Sequence, residues 1–215
     1  LVSMGALLPA TLANKGPDIA LTLGGGEPVN YAVRGAVADL TRFEDFEIVK
    51  KRFAPETFTP LTFDGKVYGL PETQSFPMIF YRTDIFNELG LSPPKTWDDV
   101  ISLISDLQEK ALQFGMAPPI DQSNVGVGMY PFAVFLYQNG GKFYSDDYRA
   151  SALDSVGAIK AFVQWAELYT DYVLPYIYDA MNRFRTGEMP IVFQDYGFYN
   201  ALAVAAPELN GKWDF

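Results

Sequence analysis

The 215 residues contain no cysteine and no histidine. Without histidine there is no Ser-His-Asp or Cys-His catalysis and no imidazole metal site. Without cysteine there is no zinc finger. An all-oxygen site for Ca²⁺ or Mg²⁺ is the metal chemistry left, and no D-x-D-x-D-G run supplies one. The missing cysteines suit an oxidising extracytoplasmic compartment, although many cytosolic proteins lack them too. Basic residues are scarce: Lys+Arg number 16 against 26 Asp+Glu, a formal net charge of −10. Phosphate binding needs a basic patch, so nucleic acid and anionic membrane are excluded as partners. The tightest basic cluster, Lys50-Lys51-Arg52, ends a short helical segment, where the helix dipole and solvation account for it. No apolar run reaches the ~18 residues of a membrane span.

What is present is globular: 49% hydrophobic residues, with 18 glycines and 15 prolines. A chain of this length buries about 70% of the surface its unfolded form exposes and suits one or two domains. At the start, Leu1, Met4, Leu8 and Leu12 recur at helical spacing, with Gly16 and Pro17 as the stop. No basic stretch precedes them, as a signal peptide would require. The beginning reads as a helix entered part-way and the end at Trp213-Asp214-Phe215 is abrupt, as in an excerpt from the middle of a longer protein. The run from Ile19 to Leu23 reads as a buried parallel strand stopped by Gly24-Gly25-Gly26. That triple glycine fails as a dinucleotide fingerprint. The third position falls on Val29, and Glu27 would set a carboxylate beside phosphate. It reads instead as a loop that lets something approach the backbone closely.

Asp64-Gly65 is the strongest hairpin signal in the chain, and Phe76 to Tyr81 an apolar strand. Thr96 caps a long helix through Leu112, with Asp99 completing a short-armed capping box. Further helices are expected over 127–137, 151–172 and 178–187, and strands at "MAPPI" and "MPIVFQ". In the helix over 151–172, Val156, Ile159, Phe162, Val163, Ala166 and Tyr169 are expected on the apolar, buried face. Asp195 is placed to cap the last helix. The alternation is mixed α/β, without repeats. Ser92-Pro93-Pro94 marks the expected boundary between residues 1–91 and 92–215.

Several of these segments, in order, resemble family 1 extracellular solute-binding proteins, the maltose-binding-protein-like receptors of ABC importers. "GPDIALTL" resembles their helix–strand step. "DGKVYGLPETQSFPMIFYRTDIFNELGL" resembles their hairpin, Gly-Leu-Pro stop, ligand loop, crossing strand and Tyr-x-x-Asp helix start. "PPKTWDDV", "QNGGKFY" and "FRTGEMPIVFQDYGFY" are similar to landmarks of their second lobe. There are departures: the family's Ala-Met is Pro190-Ile191, and its Gly-x-Trp is replaced near Asp195-Tyr196-Gly197-Phe198. The resemblance implies an α/β, two-lobed periplasmic-binding-protein-like fold of type II, with residues 1–91 part of an incomplete N-terminal lobe and 92–215 most of the C-terminal lobe. Such a fragment should leave apolar surface uncovered in its first lobe.

In that fold the solute sits in a crevice at the carboxyl ends of strands. The resemblance therefore implies ligand contacts from Gly25, Gly26 and Glu27, from Glu72, Gln74 and Ser75 in the polar loop, from Tyr130, and from Asp195, Tyr196 and Tyr199. Tyrosine suits sugars, offering an apolar ring face and a hydroxyl. For each of these tyrosines, packing in the core is the competing role. The implied function is capture of a mono- or oligosaccharide without chemistry, cofactor or metal. The implied partner is a membrane permease, and the implied location is extracytoplasmic, periplasmic or as a cell-surface lipoprotein. The alternative is a glycoside hydrolase using Glu72 and Asp195 as its carboxylate pair. A scaffold domain would show no concave polar pocket.

Overall fold

Strand Pro77–Arg82 alternates, and the alternation sorts its neighbours onto two sides of a sheet. The computed structural model describes residues 4–21, 23, 26–72, 76–116 and 125–215, with backbone alone for 4, 5 and 125–130. It divides into two units, 1–74 and 75–215.

In the first unit, helix α1 (Met4–Leu12) is followed by α2 (Glu27–Val33), α3 (Phe46–Lys50) and the two short strands β1 (Thr62–Phe63) and β2 (Lys66–Val67). β1 and β2 pair antiparallel through Asp64-Gly65, both with positive φ as a type I′ turn requires. A small aromatic core joins Phe46, Phe58 and Val67, with Phe53 edge-on to Phe58. Two expectations are corrected here. α1 ends at Leu12, and Asn14, with φ 55°, takes the left-handed position expected of Gly16, while Lys15 N–H closes the turn on the Ala10 carbonyl at 2.8 Å. Residues 17–21 and 23 form no strand, and Ile19 is 77% exposed. An extended segment becomes a strand only beside another, and the described strands of this unit, β1 and β2, pair with each other.

The second unit carries β3 (Pro77–Arg82), α4 (Thr83–Leu89), α5 (Trp97–Gln108), β4 (Phe114–Met116), α6 (Val125–Gln138), α7 (Val156–Thr170), α8 (Ala180–Thr186), β5 (Ile191–Asp195), α9 (Gly197–Ala205) and β6 (Trp213–Asp214). The sheet order is β4-β5-β3-β6. β4 runs parallel to β5, while β3 is antiparallel to both β5 and β6. Ile79, Tyr81, Ile191 and Phe193 face a core built with α5, α6 and α7. Met78, Phe80 and Val192 face a second core built with α8 and α9. The result is three layers, helices on both faces of a mixed sheet. Because β3 bonds to β5 and β6, it belongs to the second unit. The units therefore divide at 74/75, upstream of the Ser92–Pro94 break.

α7 departs in part from the expected orientation: Tyr169 packs against the core as expected. The buried face of the helix is Ala158, Ala161 and Leu168, while Val156 is 86% and Phe162 54% exposed. The small residues let α7 approach the Gly140-Gly141 turn after α6 closely. A Cβ on Gly157 would stand 2.5 Å from the Asn139 carbonyl oxygen.

Candidate functional site

β4 and β5 point their carboxyl ends the same way, and antiparallel β3 enters the sheet at that end. Pro77 lies opposite Asp195 and Met78 opposite Gln194, and the Tyr196 N–H extends the ladder to the Phe76 carbonyl at 3.0 Å. One end of the sheet thus collects Phe76, Gln194, Asp195 and Tyr196, with Tyr199 in the first turn of α9.

The rings there form a continuous tier. Tyr196 lies near-parallel to Phe76 (centroids 5.5 Å, 22°) and to Tyr199 (5.7 Å, 11°). Tyr199 in turn meets Trp213 edge-on at 5.3 Å and Phe215 at 6.0 Å. Offset stacks of this kind add about 0.5–1.5 kcal/mol per pair beyond area burial. The tier is nevertheless open to solvent: Phe76 is 47% and Tyr196 37% exposed. Tyr196 is therefore neither a core residue nor a bare platform. Its ring shares its faces with two neighbours, and Phe76 is the most exposed member of the three.

The Asp195 carboxylate accepts from Gly197 N–H at 2.7 Å, just ahead of α9. Its expected capping role is met by that bond, with Tyr196 in the N-cap position itself. In the first unit, Glu27 opens α2, where the helix dipole favours a carboxylate, and Gly26 is the N-cap. Glu27 Oε2 is buried with no hydrogen-bond partner. A side chain added at Gly26 would meet nothing within 4 Å, so open space adjoins that backbone. Glu72 is exposed. Gly25, Gln74 and Ser75 lie outside the described residues, as does the Tyr130 side chain, whose backbone is in α6.

Two residues at the sheet end were missed by sequence reasoning. Phe76 was counted as the start of an apolar strand, and Gln194 as an ordinary strand residue. Gln194 Nε2 is buried, with no hydrogen-bond partner among the described residues. The signal for Phe76 was present, since the residue before a strand-initiating proline sits at the sheet's rim. Gln194 showed itself only as a lone amide in an otherwise apolar strand. A depression of about 280 Å³, lined by Gln108, Leu112, Phe114, Val173, Leu174 and Pro175, holds none of the expected site residues. Among the described residues no cluster of three or more acidic side chains could hold a metal.

The family profile described as "Bacterial extracellular solute-binding protein" matches residues 3–215. The chain belongs to that family. It is 35% identical over 77 residues to an uncharacterized ABC transporter extracellular-binding protein of Pyrococcus horikoshii, a match covering 35% of this chain and 18% of that protein. Among solved structures it resembles an ABC transporter solute-binding protein of Thermotoga lettingae bound to α-D-tagatose, with TM-score 0.75 and 24% identity over 98% of this chain and 56% of the other. It also resembles the sugar-binding protein MalE of Xanthomonas citri, with TM-score 0.76 and 19% identity over 99% and 56%. These likenesses show the fold, and it is the type II periplasmic-binding-protein class expected from the sequence. The chain spans little more than half of either solved protein.

Proposed function

We propose that the protein is the solute receptor of an ABC importer, capturing a carbohydrate-type solute in a cleft between two lobes and performing no chemistry. The observation that carries this reading is the open aromatic tier Phe76–Tyr196–Tyr199 at the carboxyl end of β4 and β5, where α/β sheets place their ligands. Aromatic rings beside the buried Gln194 amide match the amphipathic surface of a sugar, whose apolar face packs on rings while its hydroxyls bond. Membership of an extracellular solute-binding family supports the receptor role and an extracytoplasmic location, periplasmic or lipid-anchored. A membrane permease is the corresponding partner. The hydrolase alternative finds no support: the matching family is one of solute-binding proteins, and the Asp195 carboxylate is tied to backbone.

The two readings separate in one experiment. The full chain is incubated with aryl glycosides and, in parallel, with maltose, lactose and tagatose in a thermal-shift series. A receptor gives a dose-dependent rise in melting temperature and no released phenol. Phenol release would instead establish the hydrolase.

A further inference from the structure

Gln194 is an amide in the wrong company. It sits on β5 between Phe193 and Asp195, and its Nε2 is sealed from solvent without an acceptor among the described residues. A buried amide N–H left unpaired is costly, and such groups call for a specific explanation. Strand alternation says which face it occupies. Val192 packs into the core formed with α8 and α9, so Gln194, two residues on, lies on that same face. Across the ladder, Met78 and Phe80 face the same core, which puts Phe76 there too. Phe76 stands opposite Tyr196, making Gln194 its diagonal neighbour across the strands and Tyr196 its next neighbour along the strand on that face. The unpaired amide therefore lies one step inward from the stacked Phe76–Tyr196 pair.

Resting on the receptor reading above, we infer that Gln194 is a specificity-determining residue of the solute site. Its amide is held in reserve beneath the aromatic rim, to donate to a hydroxyl or carbonyl oxygen of the bound solute. Phe76 forms the outer edge of that rim: it precedes β3, is held to the ladder through its carbonyl, and is nearly half exposed. A solute that stacks on the rim and brings an oxygen to Gln194 satisfies both features at once. One that stacks without such an oxygen leaves the amide unpaired and is rejected, the asymmetry by which polar sites discriminate. The class selected is an oxygen-rich, ring-shaped solute rather than an apolar or purely aromatic one.

The test uses Gln194→Met, which keeps shape and removes the donors, and Gln194→Glu, which replaces the donors with acceptors. Both are made in the full chain. Calorimetric titrations with maltose, lactose and tagatose are paired with melting curves taken without sugar. For whichever sugar the wild type binds, each variant should weaken affinity about tenfold or more, the worth of one lost buried hydrogen bond. Unliganded Gln194→Met should melt at or above the wild-type temperature, because it removes an unsatisfied buried group. Unchanged affinity in Gln194→Met would overturn the inference alone. So would a fall in its unliganded melting temperature of more than about 4 °C, which would make Gln194 a structural residue. A wild-type chain that binds none of the three sugars and gains no stability from them would overturn the carbohydrate reading and this one with it.

Discussion

Arg82 shows how a single charge is accommodated inside this molecule. Among the described residues it is the only charged side chain buried from solvent, at 7% exposure. Its Nε and Nη2 donate to the two Asp84 carboxylate oxygens at 2.8 and 2.7 Å, and Nη1 donates to the carbonyls of Phe184 and Arg185 at 3.0 and 3.1 Å. The fork thus ties the β3–α4 junction to the C-terminal end of α8, where the Phe184 carbonyl also accepts from Gly187 N–H at 3.2 Å. The hydrogen bonds from Arg82 hold the Asp84 carboxyl below the usual carboxylate range. A carboxylate whose folded pKa is depressed contributes stability above its unfolded pKa, about 3.9, and loses it as pH falls through the folded value. Asp84→Asn is therefore expected to cost about 1–2 kcal/mol at pH 7, the partial exposure of Asp84 moderating the loss of a partner to a buried cation. The gap to wild type should close below pH ~4. Melting curves of both proteins at several pH values check this, and a gap independent of pH would contradict the assignment.

At the scale of elements, the parts legible in the sequence were those with local chemistry. Asp64-Gly65 demanded a tight turn and makes one. Thr96 and Asp99 form the expected reciprocal cap on α5, the Thr96 hydroxyl accepting from Asp99 N–H at 3.1 Å and the Asp99 carboxylate from Thr96 N–H at 2.9 Å. The misreadings occurred where tertiary contacts decide. Residues 19–23 have a strand's composition but no described strand to pair with. In α7 the large residues Val156, Ile159, Phe162 and Val163 looked like a core face, yet Ala158 and Ala161 are buried because only small side chains fit so close to the turn after α6. The first unit exposes Ile19, Leu21 and Ile48, and the second exposes the stripe Val156, Ile159, Phe162 and Val163. Gly157 tests the close approach. Gly→Ala in a helix ordinarily stabilises by up to about 1 kcal/mol. Here the added methyl would meet the Asn139 carbonyl, so Gly157→Ala is expected to destabilise by about 1–3 kcal/mol instead. Urea unfolding of the two proteins gives the sign directly, and a stabilised variant would refute the packing described for α7.

The molecule as a whole places its chemistry at a sheet end. The mixed sheet and layered helices follow from alternation, while the division at 74/75 follows from the pairing of β3 with β5 and β6 rather than from the Ser92–Pro94 break. The candidate site was legible as a place, the loop after each strand's carboxyl end, more than as a set of side chains. Asp195, Tyr196 and Tyr199 were readable because they directly follow an apolar strand. Gln194 was not, because its place beside Phe76 and Tyr196 depends on the register Pro77↔Asp195, which no single segment encodes. Glu27 belongs to the first unit and the sheet-end residues to the second.

That proposal rests most heavily on the aromatic tier, and Tyr196 is its central ring. The deciding measurement is calorimetric titration of wild type and Tyr196→Ala in the full chain, with maltose, lactose and tagatose, alongside their melting temperatures without sugar. Loss of a stacking ring at a binding site is worth about 1–2 kcal/mol, roughly tenfold or more in Kd. The account predicts that loss for the sugar bound by wild type, with a melting temperature lowered only modestly because the ring is over one-third exposed. Wild-type affinity retained by Tyr196→Ala, together with a large fall in its melting temperature, would show that the tier is structural and that the solute binds elsewhere.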